Sequence, residues 1–211
     1  MYPLGLIQSG PFSNWILREP GNLFFELGPH LVAFVMDLVG PLESLQTSVS
    51  RPIDLPGGGR VYRHWHVHGR KGQTAVDLVL SVVPGPAERS VFVRGHGALA
   101  KCDFDRDLYW RDEPMGYALS FDAFATAVNV ARQLGANAAR NLLTSVAATL
   151  RKSPASNPFG DSVARCLDRF YATLEAQPDS RLDGCFGADV IAECERIVGS
   201  AALEPSGGDS R

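Results

Sequence analysis

Arg63-His64-Trp65-His66-Val67-His68 places a histidine at every second position, with a tryptophan and a valine between them. Successive side chains of a β-strand point to opposite faces, so His64, His66 and His68 line one face while Trp65 and Val67 line the other. The pattern predicts a half-buried strand with an apolar side and an imidazole side. Neutral imidazole is the commonest protein ligand for zinc, and three imidazoles with an open fourth position make a catalytic ion site. A polar strand face that meets water or a partner subunit is the alternative for the same residues.

The next segment bears on that choice. Gly69-Arg70-Lys71-Gly72 is a turn-rich break, and alternation resumes from about Thr74 to Val83, so a hairpin is expected. Val76, Leu78, Leu80 and Val82 form one face; Ala75, Asp77, Val79 and Ser81 form the other. Matching apolar faces sets Trp65 and Val67 with Val76 and Leu78, and puts Asp77 beside His66. Asp77 is then a candidate fourth ligand, an orienting partner for a ligand imidazole, or a cross-strand partner of a protonated histidine. With zinc in place, its bound water would ionise at a pKa of about 7 and attack an ester or phosphoester. Asp77 would orient His66 or accept the water's proton.

The chain has 211 residues, 45% of them hydrophobic and 20% charged, with a net charge of −3. That length suits one good core, expected over residues 1–203 with a tail at 204–211. The charge gives no case for nucleic acid or an anionic membrane. No apolar run reads as a bilayer span, and Met1-Tyr2-Pro3-Leu4-Gly5 lacks the character of a secretory signal. Cys102, Cys166, Cys185 and Cys194 show no C-x-x-C spacing and read as reduced residues of a cytoplasmic protein. The front half is strand-rich. A strand near Leu4–Gln8 precedes a helix from Pro29 to Val39 that Gly40 stops. Strands follow near 42–50, 60–69, 74–83, 90–95 and 98–105. From Ser120, a candidate helix cap, the pattern is helical, and Pro154–Pro158 breaks it. Two further amphipathic helices present Val163, Leu167, Phe170 and Leu174, then Val190, Ile191, Cys194, Ile197 and Val198.

Several motifs carry a resemblance. Glu26-Leu27-Gly28-Pro29-His30, the helix to Gly40, and the strand run ending in Val93-Arg94-Gly95-His96-Gly97 resemble the C-terminal half of the Gfo/Idh/MocA family of nicotinamide-dependent oxidoreductases. Asn157-Pro158-Phe159-Gly160-Asp161-Ser162 and the Gly187–Ala201 helix fit the same layout, so nearly the whole chain is covered. The resemblance implies an α+β fold, an open-faced and mainly antiparallel sheet with helices on one face and a dimer on the other. It places a carboxylate and, four residues later, a histidine at the active site, which here are Glu26 and His30; the family more usually has Asp at the first. The family's dinucleotide-binding half and its Glu-Lys-Pro lysine have no counterpart, since none of Lys71, Lys101 and Lys152 stands in that motif. Gly95-His96-Gly97-Ala98-Leu99-Ala100 matches a loose G-x-G-x-x-A fingerprint, but alternating residues follow it where a helix N-terminus is needed. NAD(P) binding by this chain alone is therefore not expected.

His30, near a helix start, suits a neutral base or simply packs that start. His96, between glycines, reads as a turn residue or a further metal ligand. Trp65, Tyr109 and Trp110 read as core or interface aromatics. Asp103, Asp105 and Asp107 read as a solvated strand edge with ion pairs to nearby arginines. An uncovered sheet face exposes more apolar area than a monomer usually tolerates, so a homodimer through that face is expected. The functional expectation is a metal-dependent hydrolase acting on a small-molecule ester or phosphoester through zinc on His64, His66 and His68, with Asp77 assisting. The alternative is a substrate-binding and dimerisation domain of an oxidoreductase, centred on Glu26 and His30.

Overall fold

The computed structural model describes residues 13–16, 18–54, 60–85, 88–150, 158–174 and 179–203. The strand expected near Leu4–Gln8, the break at 154–157 and the tail from 204 lie outside them. The elements run α1 (Ser13–Ile16), α2 (Asn22–Val39), β1 (Ser44–Asp54), β2 (Arg60–Lys71), β3 (Thr74–Ser81), β4 (Ser90–Arg94), β5 (Leu99–Asp103), β6 (Leu108–Asp112), α3 (Leu119–Leu150), α4 (Pro158–Leu174), a 3₁₀ turn (Ser180–Leu182) and α5 (Gly184–Ser200). The fold class is α+β, with two antiparallel three-stranded sheets ordered β1-β2-β3 and β4-β5-β6. The chain divides into two compact units, one from residues up to 85 and from 179 onward, the other from 86 to 178.

In the first unit α2 and α5 cover one face of the first sheet and leave the other open. Trp65 and Val67 of β2 and Leu78 and Leu80 of β3 point to the covered face, where they meet Phe24 and Val32 of α2 and Val190, Cys194 and Ile197 of α5. Removing a side chain of this size from water contributes about 1.5–3 kcal/mol each. Trp65 is wholly buried; its ring lies 5.0 Å from that of Phe24, and its Nε1 donates to the Tyr62 carbonyl at 3.0 Å. Polar contacts fix α5 at β1 and at the segment before it: Ser200 Oγ and Thr47 Oγ1 hydrogen-bond at 2.7 Å, and Arg196 Nη1 donates to the Leu42 carbonyl at 3.0 Å.

Helix α2 starts at Asn22, two turns before the expected start at Pro29, which lies in its interior. Leu23 and Phe24 are buried only if the first turns are helical, and that gain outweighs the one backbone hydrogen bond that Pro29 forgoes. Gly28 allows this packing, since a Cβ there would stand 2.6 Å from the Phe24 ring. Helix α2 is long and apolar enough to cross a bilayer by length and composition alone, a test that core helices also pass. Its buried residues Leu23, Phe24, Gly28 and Val32 mark it as a core helix of this unit.

The second unit is built differently. Helix α3 covers the edge of β6 with an amide ladder, beside apolar residues such as Val130 and Leu134 that also turn toward Trp110. Gln133 accepts from the Arg111 amide at 2.9 Å and donates to the Arg111 carbonyl at 2.8 Å. Asn137 donates to the Tyr109 carbonyl at 2.7 Å, and Asn141 to the Asp107 carbonyl. These residues stand at i, i+4 and i+8, one face of a helix, and they occupy the groups that an edge strand otherwise leaves unpaired. Ser120 is not the cap, because the helix begins one residue earlier, at Leu119. Asp103, Asp105 and Asp107 do not share a strand edge either. They surround the β5–β6 turn, where Asp107 has φ 51°, and Asp103 and Asp105 pair with Arg106 and Arg89.

Candidate functional site

Strand β2 is central in its sheet, so its outward histidines are flanked on both sides. His64 stands opposite Ser50 and Ser81, His66 opposite Ser48 and Val79, and His68 opposite Gln46 and Asp77. Asp77 was expected beside His66, and the register is displaced from that expectation by two residues; Trp65 faces Leu80 and Val67 faces Leu78. The turn is the cause. It consists of Gly72 and Gln73 alone, with Gly72 at φ 56° in the position that a type II′ turn reserves for glycine. Gly69, expected in the break, is a buried residue of β2.

A displacement of two keeps every side chain on its face. Asp77 therefore still meets the histidines: its Oδ1 lies 2.9 Å from His68 Nδ1 and 3.2 Å from His66 Nε2. The hydrogen bond from His68 holds the Asp77 carboxyl below the usual carboxylate range; partial burial opposes it and the bond from His66 reinforces it. All three side chains are about half exposed. His64 makes no side-chain hydrogen bond among the described residues.

An ionised carboxylate only accepts, so each ring nitrogen bonded to Asp77 Oδ1 carries its proton there, and the other nitrogen of each ring keeps its lone pair, as in an imidazole oriented by a carboxylate. Among the described residues no group of three or more His, Cys, Asp or Glu side chains is disposed to hold a metal ion. The surroundings are polar, with Gln46, Ser48, Ser50 and Ser81 beside the histidines. Val79 is the one large exposed apolar side chain of this face among the described residues, a lower apolar content than an uncovered face was expected to show.

The second candidate pair lies on α2. Glu26 and His30 are one turn apart, both exposed, on the side opposite the buried Phe24, Gly28 and Val32. Phe34 and Leu38 continue the exposed side toward the helix C-terminus. His96 sits in the β4–β5 turn of the other unit, exposed, and Gly95 closes that turn by donating to the Ala98 carbonyl at 2.8 Å. Strand β5 begins at Leu99, so the Gly95–Ala100 fingerprint leads into a strand.

A shallow cavity of about 580 Å³ in the second unit had no signature in the sequence. Trp110 and Asp112 of β6 and Leu119, Asp122, Thr126 and Val130 of α3 contribute to its lining. Their spacing follows no motif; only the docking of α3 at β6 brings them together. Searches against family models, curated proteins and solved structures find no match for this chain.

Proposed function

We propose that this chain is the substrate-binding and assembly half of a Gfo/Idh/MocA-like oxidoreductase, working with a dinucleotide-binding domain that supplies the nicotinamide. The observation that carries this reading is the exposed Glu26–His30 pair on the side of α2 turned away from its core. Hydride transfer at a carbon bearing oxygen requires a group that takes or returns the oxygen's proton. His30 has that role here, and Glu26, one turn earlier, orients the same small hydroxy or keto substrate. Within the first unit, helices on one face of an antiparallel sheet support the reading; the second three-stranded sheet is not part of the layout that the resemblance implies. The reading places the chain in the cytoplasm, where its four unpaired thiols stay reduced.

The test is an amide-resolved nuclear magnetic resonance titration with small polyols and hydroxy ketones, beside calorimetry with NAD(H) and NADP(H). Shifts should centre on Glu26 to Leu31 and disappear in His30→Ala, while neither cofactor binds the chain alone. Micromolar cofactor binding, or ligand shifts confined to β2 and β3, would sink the proposal. Metal-assisted hydrolysis at His64, His66, His68 and Asp77 is the second reading, favoured by the meeting of three of those residues at 2.9 and 3.2 Å. It requires stoichiometric zinc that is lost in His66→Ala, which elemental analysis decides.

A further inference from the structure

We propose that α3 docks against α3 of a second copy of this chain, antiparallel, about a two-fold axis between Gly135 and Ala136. The amide ladder of Gln133, Asn137 and Asn141 fixes the rotation of the helix by turning that side to β6. At 100° per residue, an apolar stripe then faces the opposite way. Phe121, Phe124 and Val128 form its first third; Leu142, Leu143, Val146 and Leu150 form its last. All seven are exposed, from 49% at Val146 to 80% at Leu150. The stripe is large enough for a stable contact. At roughly 100 Å² for each side chain the seven offer roughly 700 Å², close to the share of about 800 Å² that each partner gives a standard interface.

The order of residues along the stripe points to a second copy as the occupant. Bulky side chains stand at both ends, and Gly135 and Ala139 stand in the centre, where two backbones must approach most closely. Rotation about the proposed axis sets Phe121 against Leu150 and Val128 against Leu143 of the other copy. Phe124 and Val146 fall within one residue of each other's symmetric position and Leu142 falls on Asn129, so the two ends are complementary at most of the stripe, as an isologous interface requires. Arg132 is the one charged residue on the stripe. In this register its stem lies over Ala139, which leaves room for the guanidinium to reach water. Antiparallel packing also sets the two helix dipoles head to tail. The surface belongs to the second unit and is different from the histidine sheet face.

Sedimentation and disulfide trapping test the proposal together. The full chain should be a dimer at micromolar concentration. Leu143→Glu should weaken it by about tenfold or more while the far-ultraviolet spectrum stays unchanged, because Leu143 is 70% exposed and supports no core. With the exposed Cys166 and Cys185 changed to serine, Val128→Cys and Leu143→Cys are made separately, mixed and oxidised. Cross-linking should occur in the mixture and be weak in either variant alone. A monomer at high concentration, a 128–128 cross-link stronger than 128–143, or aggregates without a register preference would each overturn the proposal.

Discussion

Trp65→Phe tests the packing on which the histidine face depends, because Trp65 lies between His64 and His66 and is wholly buried. Phenylalanine keeps a ring against Phe24 but removes the indole N–H that bonds the Tyr62 carbonyl at 3.0 Å. Losing that hydrogen bond costs about 1 kcal/mol. The smaller ring buries roughly 40 Å² less, which at about 25 cal/mol per Å² is about 1 kcal/mol. A residual cavity of roughly 40 Å³, at about 24 cal/mol per Å³, adds about 1 kcal/mol if neighbours do not move. The expected loss is therefore about 3 kcal/mol, a large part of a typical 5–15 kcal/mol stability. Urea unfolding followed by far-ultraviolet circular dichroism measures it, and a slope of about 1–3 kcal/mol per molar implies a midpoint fall of about 1–3 M. Hydrogen exchange gives an independent reading: among the three indole protons, that of Trp65 should exchange slowest. A loss below about 1 kcal/mol would refute this account. So would a Trp65 indole proton exchanging as fast as that of Trp15, which is 46% exposed.

Two further outcomes follow from the polar contacts. The Asp77 carboxyl is lowered from 3.8 in the fold, so its stabilising contribution is present above that value and is lost as pH falls through the lowered native one. Wild type should exceed Asp77→Asn in stability by less than about 1 kcal/mol at pH 6, since the group is half exposed. Urea midpoints taken at decreasing pH should converge, and a gap that widens in acid would contradict the cause assigned here. Gln133→Ala removes both bonds to the Arg111 backbone and should cost the second unit about 1–2 kcal/mol. Amide exchange at Arg111 should quicken, and unchanged protection there would mean that α3 does not cover the β6 edge.

The alternation in residues 63–68 and 74–81 was legible because a strand buried on one face enforces period two locally. Which residues face the core and which carry the imidazoles and Asp77 therefore came directly from the sequence. The cross-strand partner did not. The conformation of Gly72 decided where the turn begins and moved the pairing by two residues, so that Asp77 faces His68 and reaches His66 diagonally. The start of α2 was misplaced for a related reason: Pro29 carries a strong local signal, and burial of Phe24 against Trp65 overrides it.

By itself, the sequence determined the α+β class, from the order of strand-like and helical segments, and the two-faced hairpin, from spacing within each strand. Only the tertiary structure decided the rotation of α3. Periodicity ordinarily assigns an apolar stripe such as Phe121, Phe124, Val128 and Leu143 to a core. Gln133, Asn137 and Asn141 are ordinary polar positions until β6 presents its unpaired backbone to them. Those bonds join residues 22 to 34 positions apart, and they turn the stripe outward. Unpaired backbone groups have to be satisfied, but which side chains satisfy them is settled only when the elements meet.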